Sequence, residues 1–337
     1  MKIGLIAALL ILLSVHTAAA QDKPGLSEID RIRLAEAFRL GETIEDQVWP
    51  GWGRAPFAVL LVTPEQEFLI RHPEPSADFV SLGDDALLRS KVWFRKRTYS
   101  PQLQATFPAV PGSAVPTIVI GQAENTADKT STRWVVTLLH EHFHQWQYSQ
   151  PWYYEGVNAL GLSRGDQTGM WMLNYAFPYT AAEVKDHFSK QAQMLAAALQ
   201  ADDRDFKSKL AAYLAARGEL KKMLAADDYR YLSFQLWQEG IARYTEYRVA
   251  KLAAKRYEPG REFRALKDFT PYAQVAEDIL NGLLKKLTGL NLAESQRSAF
   301  YPMGAVEGLL LDRIDATWQR RYLTERFSLD SYFVAAN

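Results

Sequence analysis

The chain reads as a mainly helical α+β protein. Short apolar runs broken by Pro and Gly crowd into residues 57–120, and stretches with helical spacing dominate from Ser131 onward. A hydrophobic content of 48% over 337 residues is enough for a substantial core, in one large domain or two modest ones. Charge is balanced at 39 basic and 39 acidic residues with no basic block, which argues against nucleic acid as a partner. Cysteine is absent, so disulfides and thiolate ligands are excluded.

In chain order, Lys2 precedes an apolar run from Ile3 to Leu13 and then Ala18-Ala19-Ala20, the pattern of a secretory signal peptide cut before Gln21. An uncleaved anchor is the alternative, but the run is short for a membrane span. Residues 1–20 are therefore expected to be removed, leaving a periplasmic or secreted protein with no stable membrane anchor. Residues 21–129 are expected to form an N-terminal helix and a sheet lobe. The helix is expected from Leu26 to about Gly41, with Ser27 as cap and Gly41 as stop. Strands are expected at Phe57 to Val62, Glu67 to Ile70, Val92 to Tyr99 and Thr117 to Ile120, and Trp49 and Trp52 as packing anchors.

Residues 130–337 are expected to form a helical lobe. Its first helix, 131–148, carries His140-Glu141-His142-Phe143-His144. On a helix His140 and His144 stand one above the other, close enough to chelate one zinc ion through their imidazoles. Glu141 lies one step round, where its carboxylate can take a proton from a water at the metal, and His142 points away. Tyr148 to Tyr179 reads as an irregular connector, and Ala181 to Leu199 and Asp203 to Ala226 as covering helices.

A further helix from about Asp228 to Lys255 contains Glu239-Gly240 and Glu246. Two histidines need a third protein ligand, and without Cys a carboxylate on a neighbouring helix is the natural supplier. Gly240 is expected to let this helix approach the first closely. Glu246, seven residues on from Glu239, can hold a ligand histidine's second nitrogen or position Arg243.

Trp237-x-Glu239-Gly240-x-Ala242-x-Tyr244-x-Glu246 and His140-Glu141-x-x-His144-Gln145-Trp146 resemble the two motifs of the zinc aminopeptidases of the alanyl/leucyl aminopeptidase and leukotriene A4 hydrolase family, within the gluzincin class. The resemblance implies a thermolysin-like core, His140, His144 and Glu239 as zinc ligands, and Glu141 as general base. Gly121-Gln122-Ala123-Glu124-Asn125 is similar to that family's G-x-M-E-N, which implies that Glu124 binds a substrate's free amino group. Tyr301-Pro302-Met303-Gly304-Ala305 resembles Y-x-K-G-A, which implies that Tyr301 stabilises an oxyanion. Ala123 and Met303 depart from those patterns, residues 147–235 form a long insertion between the motif helices, and the family's large N-terminal β-domain is missing. The expectation is a zinc peptidase acting on a peptide or protein, an aminopeptidase first. An endopeptidase or other zinc hydrolase on the same core, or a non-catalytic zinc-stabilised binding protein, are the alternatives.

Overall fold

The computed structural model describes residues 25–334. The predicted signal peptide, residues 1–20, lies outside them. Among the described residues no helix is long and apolar enough to cross a membrane.

Helix α1 (Glu28–Val48) begins where Ser27 accepts the Asp30 N–H at 3.1 Å. It does not stop at Gly41. A Cβ there would stand 2.9 Å from Phe57 Cε1, so this glycine is a place where an aromatic ring lies on the helix backbone. Composition alone could not separate that role from a helix stop.

Six strands form one mixed sheet: β1 (Val59–Val62), β2 (Gln66–Ile70), β3 (Val80–Asp85), β4 (Ser90–Lys96), β5 (Gln104–Phe107) and β6 (Thr117–Gly121). Their order is β3-β4-β2-β1-β6-β5, antiparallel except for β1 with β6. The central pair β1 and β6 is buried at every position, as their uniformly apolar side chains require. Two strands escaped the sequence reading. β3 is exposed along most of its length and shows no alternation of burial, and β5 is only four residues long. The run expected to reach Tyr99 leaves the ladder at Lys96. There the buried Glu67 carboxylate accepts the N–H groups of Thr98 and Tyr99, each at 2.6 Å, and turns the chain away.

β5 is the edge strand next to helix α2 (Ser131–Tyr148), whose bounds are those expected. α2 is buried on nearly all sides, between the sheet, α1 and a later helix over Ile241–Arg256. Trp49 and Trp52 are fully enclosed: Trp49 packs among Phe143, Trp146, Tyr244, Trp318 and Tyr322, and Trp52 Nε1 donates to the His142 carbonyl at 3.2 Å.

Two short helices, α3 (Tyr153–Ala159) and α4 (Trp171–Asn174), interrupt the connector after α2. α5 (Ala182–Gln200) and α6 (Asp203–Met223) pack on each other, and α5 also covers α10 (Tyr272–Thr288) and α12 (Phe300–Ile314). The helix expected over 228–255 is three pieces: α7 (Ala226–Gln235), a single π turn at Leu236–Gly240, and α8 (Ile241–Arg256). The short α9 (Arg261–Arg264), α11 (Leu292–Ser295) and α13 (Asp330–Val334) complete the chain, and one apolar core runs from Leu34 in α1 to Phe333 in α13.

Gly240 has a different neighbour from the one expected. α8 does pack on α2, but a Cβ on Gly240 would lie 2.5 Å from Gly304 Cα, and one on Gly304 would lie 2.5 Å from the Leu236 carbonyl oxygen. The π turn and α12 therefore touch backbone to backbone, which brings the Glu239 and Tyr301 segments together.

Gly304→Ala should destabilise the protein by about 1–3 kcal/mol, because the methyl group meets backbone on both sides. Gly282→Ala, in the middle of α10 with nothing within 4 Å of its Cβ position, should stabilise by roughly 0.4–1 kcal/mol. Urea unfolding midpoints of the two variants check this, and similar midpoints would show that the Gly240–Gly304 contact is not tight.

Candidate metal centre

α2 is anchored before it presents any chemistry. Gln145 Nε2 donates to the carbonyls of Ala58 and Pro116, each at 2.8 Å, and Trp134 Nε1 to that of Gly121 at 2.8 Å, so the helix is tied to both ends of the central strands. His142 stacks on Phe57 at 3.8 Å with the rings 4° from parallel, and its Nε2 lies 3.2 Å from Glu45. As expected, it faces α1 and not the other two histidines.

His140 and His144 bring their Nε2 atoms to 3.2 Å of each other, and His144 Nε2 lies 3.5 Å from Glu239 Oε2. One ligand atom from each of His140, His144 and Glu239 falls within 4.8 Å of the other two. Both imidazoles are held from behind. His144 Nδ1 is 2.7 Å from the amide oxygen of Gln147, which can only accept, so Nδ1 carries a proton. Gln147 Nε2 donates in turn to the Tyr322 hydroxyl at 2.7 Å, and that hydroxyl to the Trp237 carbonyl at 2.6 Å. His140 Nδ1 lies 2.8 Å from Glu246 Oε1, an ion-pair distance without a well-aligned hydrogen bond. Glu246 is fully buried and also takes Arg243 at 2.6 Å and Arg133 at 2.7 Å, so it faces His140 and two guanidinium groups at once.

These contacts fix the electrostatics. Burial alone would raise the Glu239 carboxyl, but His144, Arg297 and His140 outweigh it and hold it well below the usual carboxylate range. Glu246 is likewise held down against burial, by Arg243 and Arg133 and then by His140. For His144 burial favours the neutral ring, yet Glu239, followed by Glu141 and Gln147, carries it up to about 9. The two Nε2 atoms, 3.2 Å apart beside a carboxylate, can share a proton between them or give way to a divalent cation. Two imidazole nitrogens and a carboxylate oxygen are the donor set of a zinc site with an open position. The 3.2 Å between the nitrogens is close to the edge of about 3.3 Å of a tetrahedron with Zn–N bonds of about 2.05 Å. The three residues could hold such an ion.

Glu141 is not among these donors. Its carboxylate accepts a hydrogen bond from Thr106 Oγ1 at 2.8 Å, so the edge strand β5 sets its position. Thr106 was invisible to sequence reasoning, because the four-residue strand that carries it shows no periodic signal. Glu239 sits in the π turn, where one extra residue re-aims the side chain at α2.

The two weaker motif residues fall in different places. Tyr301, in the first turn of α12, has its hydroxyl beside the Glu239 carboxylate and the Arg297 guanidinium; burial, then Glu239, pushes its pKa well up. Glu124 lies in the turn Ala123–Asn125 with its side chain 58% exposed, paired with Arg33 at 2.8 Å. Arg33 also binds Ser131 and Asp268 at the start of α2, and none of these partners belongs to the histidine cluster. Tyr148 was read only as the start of a connector. It closes the last turn of α2 with its ring stacked on His144, 5.7 Å between centroids and 19° from parallel. Its spacing of four from His144 is the one signal that could have singled it out.

Comparison with protein-family models, with curated proteins and with solved structures returned no match for this chain.

If the cluster takes zinc, Glu246→Gln should weaken its binding about 10–100-fold in a chelator competition, since it removes the carboxylate behind His140. It should also lower the melting temperature, because Arg133 and Arg243 lose their shared counter-charge. Unchanged zinc affinity would detach Glu246 from the site.

Proposed function

We propose that this protein is a zinc-dependent peptidase that hydrolyses peptide bonds with Glu141 as general base, an aminopeptidase in the first reading. The observation that carries the proposal is the convergence of His140, His144 and Glu239 on one point, with a glutamate beside them that is no ligand. A purely structural zinc site has no use for Glu141. A mixed sheet whose edge strand borders the motif helix, with the third donor on the helical side, supports a thermolysin-like core. The free edge of β5 is a place where an extended peptide can add as a further strand. With the signal-peptide reading of residues 1–20, the activity belongs to the periplasm or the exterior.

His140, His144 and Glu239 would hold the ion, with Glu246 and Gln147 keeping both imidazoles in the tautomer that offers Nε2. Bound there, zinc supplies Lewis-acid polarisation of a carbonyl and a lowered pKa for water. Glu141, aimed by Thr106, removes one proton from the attacking water as its oxygen bonds to the peptide carbonyl carbon. The carbonyl oxygen becomes an oxyanion. When the C–N bond breaks, Glu141 returns the proton to the leaving nitrogen, so that water and an amide become a carboxylic acid and an amine. Under the aminopeptidase reading Glu124 would bind the free amino group of the substrate, and the family resemblance gives the oxyanion to Tyr301. The ion pair of Glu124 with Arg33 favours the second reading, an endopeptidase on the same core, because it occupies the carboxylate that would select free N-termini.

Zinc-loaded protein should cleave peptides in a chelator-sensitive way. Mass-spectrometric mapping of paired peptides separates the readings: stepwise loss from free but not acetylated N-termini fits the aminopeptidase, and internal cuts that ignore acetylation fit the endopeptidase. Glu141→Gln should keep bound zinc and lose about 10²–10⁴-fold in turnover. Glu239→Ala should lose the zinc itself, measured as metal per chain. Cleavage retained in Glu141→Gln would remove it from the base role.

A further inference from the structure

The chemistry proposed above requires a hydrogen-bond donor for the oxyanion, and two tyrosine hydroxyls stand near the cluster. They differ in what already engages them. Tyr301 shares one guanidinium with Glu239: Arg297 lies 5.2 Å from its ring centroid and 3.5 Å from Glu239 Oε1. Tyr148 is arranged differently. Gln238 Nε2 donates to its oxygen at 3.2 Å, while among the described residues no acceptor takes its proton.

That arrangement is built. Gln238, next to Glu239 in the π turn, is 2% exposed, and its own amide oxygen accepts the Tyr153 hydroxyl, which fixes the amide so that its N–H₂ faces Tyr148. The Tyr148 ring is held against His144, one turn of α2 beyond the ligand and two beyond His140. The residue is half-buried, so part of it meets solvent. A phenol whose oxygen is engaged by a donor keeps its own proton to give. A donor whose oxygen is already satisfied and whose proton is unspent costs no reorganisation when negative charge develops beside it.

We propose that Tyr148 donates the hydrogen bond to the oxyanion as water adds to the peptide carbonyl, and that Tyr301 acts through Glu239 as a positioning residue. This rests on the peptidase reading. It departs from the role that the family resemblance implies for Tyr301, and it makes Gln238 the residue that orients Tyr148.

The test uses the full chain, zinc-loaded, in a Glu141→Gln background so that nothing is cleaved. Two probes are titrated calorimetrically: a phosphinic pseudopeptide, whose tetrahedral phosphorus mimics the charged intermediate, and the parent peptide with its ordinary amide. Adding Tyr148→Phe should weaken the phosphinic probe about 10²-fold and leave the parent peptide within about twofold, with zinc content unchanged. Adding Tyr301→Phe should weaken both probes alike or lower zinc content. Gln238→Leu should reproduce part of the selective loss. The proposal is overturned if Tyr148→Phe affects both probes equally or neither, or if the selective loss appears in Tyr301→Phe. If the protein without either tyrosine change binds neither probe, the peptidase reading itself fails and takes this assignment with it.

Discussion

Two imidazole nitrogens held 3.2 Å apart in a nearly closed space are the constraint around which the rest of the site is arranged. Neither ring can turn away, because each Nδ1 is engaged from behind: one by the Glu246 carboxylate, the other by the Gln147 amide. The Glu246 carboxylate is itself buried, and its charge is sustained by Arg133 and Arg243, one from each of the two helices that meet there. Gln147 is held by Tyr322 and through it by the Trp237 carbonyl. Polar groups this deep are costly unless partnered, and the partners bind the two central helices and the C-terminal part of the chain into one network.

The backbone contact of Gly240 with Gly304 serves the same end. Glu239 reaches the histidines because a π turn gives its segment an extra residue, and because α12 comes close enough to set Tyr301 and Arg297 around the carboxylate. A side chain at either glycine would push these elements apart and loosen the third donor from the other two. On the opposite wall Thr106 performs a parallel service for Glu141, so that Glu141 is aimed by the sheet and the two histidines and Glu239 by the helices.

Most of the long elements were legible because their signals are local. The bounds of α2, the cap at Ser27, the central strands and the covering helices follow from periodicity and punctuation that only a few neighbouring residues determine. The errors share one cause. Gly41 and Gly240 were read by what a glycine does to its own helix, when each is a glycine because of another part of the chain, Phe57 and Gly304. β3 and β5 carry no alternation of their own and exist because a neighbouring strand offers them a ladder.

The sequence by itself determined which residues were candidates for the chemistry: His140 and His144 one helical turn apart, Glu141 beside them, and Glu239 with Glu246 two turns further along a second helix. Those spacings are properties of the α-helix and need no knowledge of the fold. Tertiary structure alone decided what surrounds each of them. It put Thr106 on Glu141, Tyr322 on Gln147, Arg33 on Glu124 and Gln238 on the Tyr148 oxygen, and it set Arg297 between Tyr301 and Glu239. Such pairings join residues far apart in the chain, and no local pattern encodes them. They arise from which surfaces the packed core brings into contact, and from the requirement that every polar group carried inside with them find a partner.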